Sequence, residues 1–142
     1  MTVRLIAHVL IQSGDDYLLI KRSEIKRGSP NVYPTYWDIP GGGVEKGELP
    51  RDGALRECIE EIGIRLDKDS LELIHEDSQL DTSKDTVFTR LVYKAEWVGE
   101  KPIIRLDPEE HTHFKWVTMA QALEEKLVPY LREIFERLRN DI

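Results

Sequence analysis

Apolar residues fall in two rhythms along the chain. Val3 to Gln12 is apolar and rich in β-formers, Ser13-Gly14-Asp15-Asp16 supplies turn chemistry, and Tyr17 to Lys21 is apolar again, which predicts a β-hairpin. Leu71 to Ile74, Val87 to Val98 and Phe114 to Val117 read as further strands. Between them, Pro50 suits a first helical turn and Gly63 a C-terminal cap, so the intervening residues are expected to be helical. Thr118 is placed to cap a second helix running to about Lys126, and Pro129 opens a third in which Leu131, Ile134, Phe135 and Leu138 recur at helical spacing. That order predicts one α/β domain over residues 1–142, a mixed sheet with helices on its faces. Ser23 to Tyr36 reads as a loop of substrate-lining length, and Gly41-Gly42-Gly43 as a tight loop after a short strand.

Charge narrows the choice of partner. The chain carries 27 acidic and 20 basic residues, a formal net charge of -7, which argues against polymeric nucleic acid. A small phosphorylated molecule stays compatible if carboxylate-held cations reverse the local field. No stretch reaches the roughly 20 apolar residues that a bilayer requires, and Arg4 and His8 interrupt the start, so no membrane segment or signal peptide is expected and the reading is cytoplasmic. Cys58, the single cysteine, is expected to fill core space.

The chemistry lies on the first helix. With Leu55 set at zero and 100° per residue, Cys58, Ile59 and Ile62 fall within about 60° of it, while Glu57, Glu60 and Glu61 lie near about 200°, 140° and 240°. An apolar face opposite an acidic one is therefore expected. Three like charges at this spacing destabilise a helix, and Arg56 alone cannot neutralise them. Clustered hard oxygens suit Mg²⁺ or Mn²⁺.

Gly42, Glu48, Arg56-Glu57, Glu60-Glu61 and Gly63-Ile64 reproduce the fixed positions of the Nudix box, and the chain resembles the Nudix hydrolases of MutT type over nearly its whole length. The resemblance implies an α/β/α sandwich and metal-dependent cleavage of a phosphoanhydride in a nucleoside diphosphate-linked substrate. By position, it implies Glu57 and Glu61 as main metal ligands, Glu60 as a further ligand or part of the base, and the Gly41 carbonyl as another ligand. Arg56 would orient the carboxylates and Glu48 would brace the loop or bind metal. Glu110, shortly before Trp116, stands where several members carry an extra glutamate that binds metal or acts as base.

Substrate contacts are expected from Arg22 at a strand end, with Lys21 as its alternative, and from Trp37 or Tyr36 stacking on a base. Arg4, Lys26, Arg27 and Arg90 could add phosphate contacts. His111 and His113 are expected to sit on a loop or strand surface rather than to ligate metal, and His8 and His75 have no evident partners. The implied reaction is hydrolysis of a nucleoside triphosphate, oxidised forms such as 8-oxo-dGTP included, to monophosphate and pyrophosphate. ADP-sugar members generally add an N-terminal region, whereas this sequence opens almost at its first strand; Gln79 and Asp81 replace the Pro and Tyr marks of some ADP-ribose and dinucleoside polyphosphate members. A non-catalytic nucleotide sensor is the reading from another class, disfavoured because the box glutamates are all present. Homodimers are frequent among family members.

Overall fold

The opening run folds as β1 (Thr2–Ser13), turns at Gly14 and returns as β2 (Asp16–Arg22). The two strands pair only at Gln12–Tyr17 and Ser13–Asp16 before they part. The computed structural model describes residues 1–141, and the remaining elements follow in chain order. They are β3 (Ile25–Lys26), β4 (Ser29–Pro30), β5 (Trp37–Asp38), β6 (Gly41–Gly43), α1 (Pro50–Ile62), a 3₁₀ turn at Lys68–Ser70, β7 (Glu72–Asp81), β8 (Thr86–Glu96), β9 (His111–Thr118), α2 (Met119–Leu123) and α3 (Pro129–Asn140).

β1 lies at the centre. It runs parallel to β8 from Thr2–Thr86 through Gln12–Glu96 and takes β6 antiparallel at Ile6–Gly43, Ala7–Gly42 and His8–Gly41. The order β5-β2-β1-β8-β7, with β9 beside β2, makes a mixed sheet. Alternation along β1 and β2 divides the core. Ala7, Val9, Ile11, Leu18 and Ile20 pack under Ala54, Cys58 and Ile62 of α1, while Leu10, Tyr17 and Leu19 pack under Leu131, Ile134 and Phe135 of α3. This is the expected α/β/α sandwich, and Cys58 is core filler as read, its thiol pKa raised by burial.

Four elements depart from the sequence reading. The glycine run is a strand, not a loop, because β1 offers it a ladder; a Cβ on Gly41 would lie 2.6 Å from the Ala7 carbonyl oxygen. The Ser23–Tyr36 loop contains the small β3–β4 hairpin. β7 extends to Asp81 through residues of poor strand propensity, because each pairs with the long β8. α2 stops at Leu123 rather than near Lys126: the next residues are drawn against β5, where Trp37 donates to the Lys126 carbonyl at 2.7 Å and Val128 donates to Trp37 at 3.0 Å.

α1 is also rotated from its expected seat. Ile59 is 41% exposed, whereas Glu61 is only 3% exposed, so the buried face is centred between Ala54 and Cys58 instead of on Leu55. α3 carries the opposite layer through a fully buried ring. Phe135→Ala should cost about 3–5 kcal/mol, lowering the urea midpoint with little change in slope; a loss below 1 kcal/mol would show that this layer is not the anchor described.

Candidate active site

Pro50 starts α1 and Gly63, at φ 70°, ends it, so the helix is fixed in length with Arg56, Glu57 and Glu61 facing β6. Arg56 is the hub. It donates through Nε to Glu48 at 2.9 Å, through Nη1 to Glu57 at 3.0 Å and Glu60 at 3.1 Å, and through Nη2 to the Gly43 carbonyl at 3.0 Å. The loop between β6 and α1 is held by the same carboxylate, since Glu48 also accepts from the Glu45 amide at 3.0 Å. Hydrogen bonds from Arg56, with that amide, hold the Glu48 carboxyl below its ordinary pKa. Gly42 leaves room for Glu57, whose Oε1 would lie 2.7 Å from a Cβ there.

Deeper in, Glu61 accepts from the Gly41 amide at 3.3 Å and has His111 Nδ1 at 3.8 Å. Burial, then the adjacent Glu57 carboxylate, raises the Glu61 pKa strongly, with Glu110 adding to the effect. Burial alone would raise Glu110 as well, but the Lys26 ammonium at 2.8 Å outweighs it and holds that carboxyl below its usual value. Burial lowers the His111 pKa to about 4, so the ring is neutral at neutral pH, and its Nδ1 is buried without a hydrogen-bond partner among the described residues. Glu57, Glu61 and Glu110 thus crowd together with too little cationic charge inside to balance them. Among the described residues no three such groups form a ready-made ligand set, since Glu57 turns to Arg56 and Glu110 to Lys26. The donors are nonetheless hard oxygens that would gain by meeting a divalent cation.

A cleft of about 510 Å³ opens on the other face of β6, lined by Gly41–Gly43, Ile6, Arg90, Asp77, Tyr33 and Tyr130 among others. It shares His8, Arg22, Lys26, Asp38 and Gly41 with a small pocket holding Glu61, Glu110 and His111. Behind it lies a buried network. Tyr130 donates to Asp38, His8 lies between the Ile39 carbonyl at 3.3 Å and the Tyr130 hydroxyl at 3.1 Å, and Arg22 pairs with Asp38 at 3.0 Å.

Sequence-selected residues divide accordingly. Glu57, Glu61, Glu110 and the Gly41 backbone converge, while Glu60 is 55% exposed and linked to them only through Arg56. Arg22 lines the cleft, but its guanidinium is spent on Asp38, on the Val32 carbonyl at 2.7 Å and on Asn31 at 2.9 Å, so it clamps the loop instead of waiting for a phosphate. Lys21 and Trp37 do not line the cleft. Trp37 packs instead against the core under α3, with Lys115 4.5 Å and Lys21 6.0 Å from the indole centroid. His8 and His75, unpaired in the sequence reading, are both buried and bonded. His113 stays exposed as expected, whereas His111 is buried because it faces α1 at the β2–β9 bulge.

Comparison with known proteins bears on this arrangement. The family model described as the NUDIX domain matches residues 1–138. The chain belongs to the Nudix family. A Nudix hydrolase of Pseudomonas aeruginosa is 32% identical over 133 residues, spanning 92% of this chain and 73% of that one. The nucleoside triphosphatase NudI of Escherichia fergusonii is 44% identical over 66 residues, 46% of this chain and 44% of its own length. The MutT protein from Methanosarcina mazei superimposes with a TM-score of 0.75 at 25% identity, covering 99% of this chain and 95% of that one. A MutT Nudix hydrolase from Burkholderia pseudomallei, at 24% identity and TM-score 0.76 over 96% and 98% of the two chains, repeats the fold.

As a Nudix hydrolase, the protein belongs to a group of enzymes that act on small nucleotide substrates and generally use divalent metal ions. No helix among the described residues is long and apolar enough to cross a membrane.

Asp38 anchors the cleft of this Nudix domain. Burial alone would raise its pKa, but the Tyr130 hydroxyl, Arg22 and the Ile39 amide hold it below the ordinary 3.8, with His8 adding only where protonated. Its folded pKa being depressed, its stabilisation is full above the unfolded value and is lost as pH falls through the lower one. Asp38→Ala should cost about 3–5 kcal/mol at pH 7 by stranding Arg22, and acid melts should show the difference between variant and parent shrinking below about pH 4. A gap that persists to about pH 2 would contradict this assignment.

Gly42→Ala should behave differently. The added methyl meets only the movable end of Glu57, so calorimetry should show a loss of under about 1 kcal/mol. A loss above about 2 kcal/mol would show that the Glu57 carboxylate cannot shift.

Proposed function

We propose that this Nudix hydrolase cleaves nucleoside triphosphates, oxidised forms such as 8-oxo-dGTP included, to a nucleoside monophosphate and pyrophosphate with Mg²⁺. The observation that carries the reading is the junction at Gly41, where a cleft of nucleotide size meets the carboxylate pocket. The likeness to a nucleoside triphosphatase over the segment it shares supports the substrate class.

Glu57, Glu61, Glu110 and the Gly41 carbonyl are the oxygens that would hold the metal, with Glu60 as a further donor if it leaves Arg56. The cation would neutralise phosphate charge and make an attacking water more acidic. Arg56 holds Glu48, Glu57 and Glu60 relative to β6 and so orients the set. Lys26 lines both spaces and meets the phosphate chain. Water attacks one phosphorus of the anhydride, the bridging oxygen leaves with pyrophosphate, and a carboxylate takes the proton. Glu110 suits that last role better than Glu60, because it lines the inner pocket while Glu60 lies outside it.

Mg²⁺-dependent release of pyrophosphate rather than orthophosphate from triphosphates is the expected result. Glu57→Gln should lower turnover by about 10²-fold or more with the fold intact by circular dichroism. Activity confined to ADP-ribose or dinucleoside polyphosphates would transfer the protein to that substrate class, and near-parental turnover in Glu57→Gln would displace the metal site.

A further inference from the structure

One row of residues crosses the sheet from the glycine strand to the far wall of the cleft. Gly43 pairs with Ile6, Ile6 with Arg90, and Arg90 with Asp77, so all four stand in register on neighbouring strands. Three interstrand spacings make about 14 Å. A nucleoside with its phosphate chain covers such a span, which places the base at Arg90 and Asp77 when the phosphates lie at β6.

Both side chains are held in place. The Arg90 guanidinium carbon lies over the Tyr130 ring, 4.1 Å from its centroid, with Nη1 3.4 Å from Asp77 Oδ1. Its Nε is buried with no acceptor among the described residues. The Nη2 amino group is free to donate into the cleft. Asp77 is braced from behind. Arg137, which can only donate, sits 3.2 Å from His75 Nδ1, so Nε2 of that ring carries the proton and donates to Asp77 Oδ2 at 2.7 Å. Arg137 is itself tied to the Ile74 carbonyl at 2.7 Å. This chain of contacts orients a carboxylate in the cleft with a free lone pair on each oxygen.

We infer that Asp77 and Arg90 form a base-reading pair selective for the edge of guanine, an inference that rests on the triphosphate reading. Guanine presents a carbonyl, a ring N–H and an amino group in sequence, matching one Arg90 donor and two Asp77 acceptors. Adenine, with an amino group beside a bare ring nitrogen, satisfies only one acceptor. Uracil and thymine turn a second carbonyl against the carboxylate, and cytosine, like adenine, sets a bare ring nitrogen beside its amino group and satisfies only one acceptor. Oxidation at C8 leaves this edge unaltered, so guanine and 8-oxoguanine are bound alike by the pair.

The test compares kcat/KM for GTP, ATP, CTP, UTP and XTP in the parent and in Asp77→Asn. GTP should exceed ATP by about tenfold or more in the parent. The variant should lose about tenfold on GTP, change on ATP by less than about twofold, and gain on XTP, because xanthine replaces the amino donor by a carbonyl that the new amide can meet. Equal loss on every nucleotide, or a parent preference for another base, would overturn the pair. Binding of GMP and AMP measured calorimetrically without turnover separates the two readings. Silence on all triphosphates with GMP still bound about tenfold tighter than AMP defeats only the triphosphate reading, whereas equal binding of the two defeats the base assignment.

Discussion

One guanidinium holds the catalytic end of this Nudix hydrolase together. Arg56 is bonded to Glu48, Glu57, Glu60 and the Gly43 carbonyl, and so ties a loop, a helix and a strand into one unit. Without it the three helix carboxylates would repel one another and the glycine strand would keep only the Gly41–Glu61 hydrogen bond as a lateral anchor on α1. Its planar fork reaches these partners at once, a geometry that a lysine ammonium on a flexible stem does not reproduce. The neutralisation is partial by construction. Glu61 lies beyond its reach, and it is there that burial and neighbouring charge leave a demand for a cation.

A second fixed point sits behind the cleft. Asp38 gathers Arg22 and Tyr130, with His8 against the same hydroxyl, and thereby fastens β2, β5, α3 and the 23–36 loop around one buried carboxylate. The loop that walls the substrate space is thus clamped by a residue that would otherwise face the substrate. Tyr130 carries the connection onward, since its ring is the platform on which Arg90 lies. The two anchors flank Gly41, which is why a strand with no side chains can separate two spaces and still hold its position.

Much of this was legible in the chain. Period-2 and period-3.6 patterns located the strands that bear the core and all three helices, and the box spacing from Gly42 to Ile64 identified the family. What was not legible depends on pairing across long separations. Helical-wheel logic put Ile59 inside and left Glu61 on an acidic outer face, because it assumed that burial follows hydrophobicity. Glu61 is buried by its tertiary setting. Trp37 was a candidate by proximity in sequence to the glycine run and Lys21 as the alternative to Arg22 at a strand end, but neither side chain lines the cleft. The partners of His75 come from α3 and from its own strand two residues on, which no local signal could announce. Gln79 drew attention only for the signature it lacked and Asp77 drew none; their place in the cleft follows from a β7 that propensity alone would have ended at Ile74.

The parallel pairing of β1 with β8 bears on how the chain reaches this state. β1 is made well before β8 yet lies at the middle of the sheet with residues 86–96 as its main partner. Until those emerge, its ladder partners are only the brief pairing with β2 and the short glycine strand. Closing so long a loop is slow relative to forming local structure. During synthesis β1 is therefore an apolar strand with an open edge waiting for a late partner, the kind of intermediate on which chaperones act.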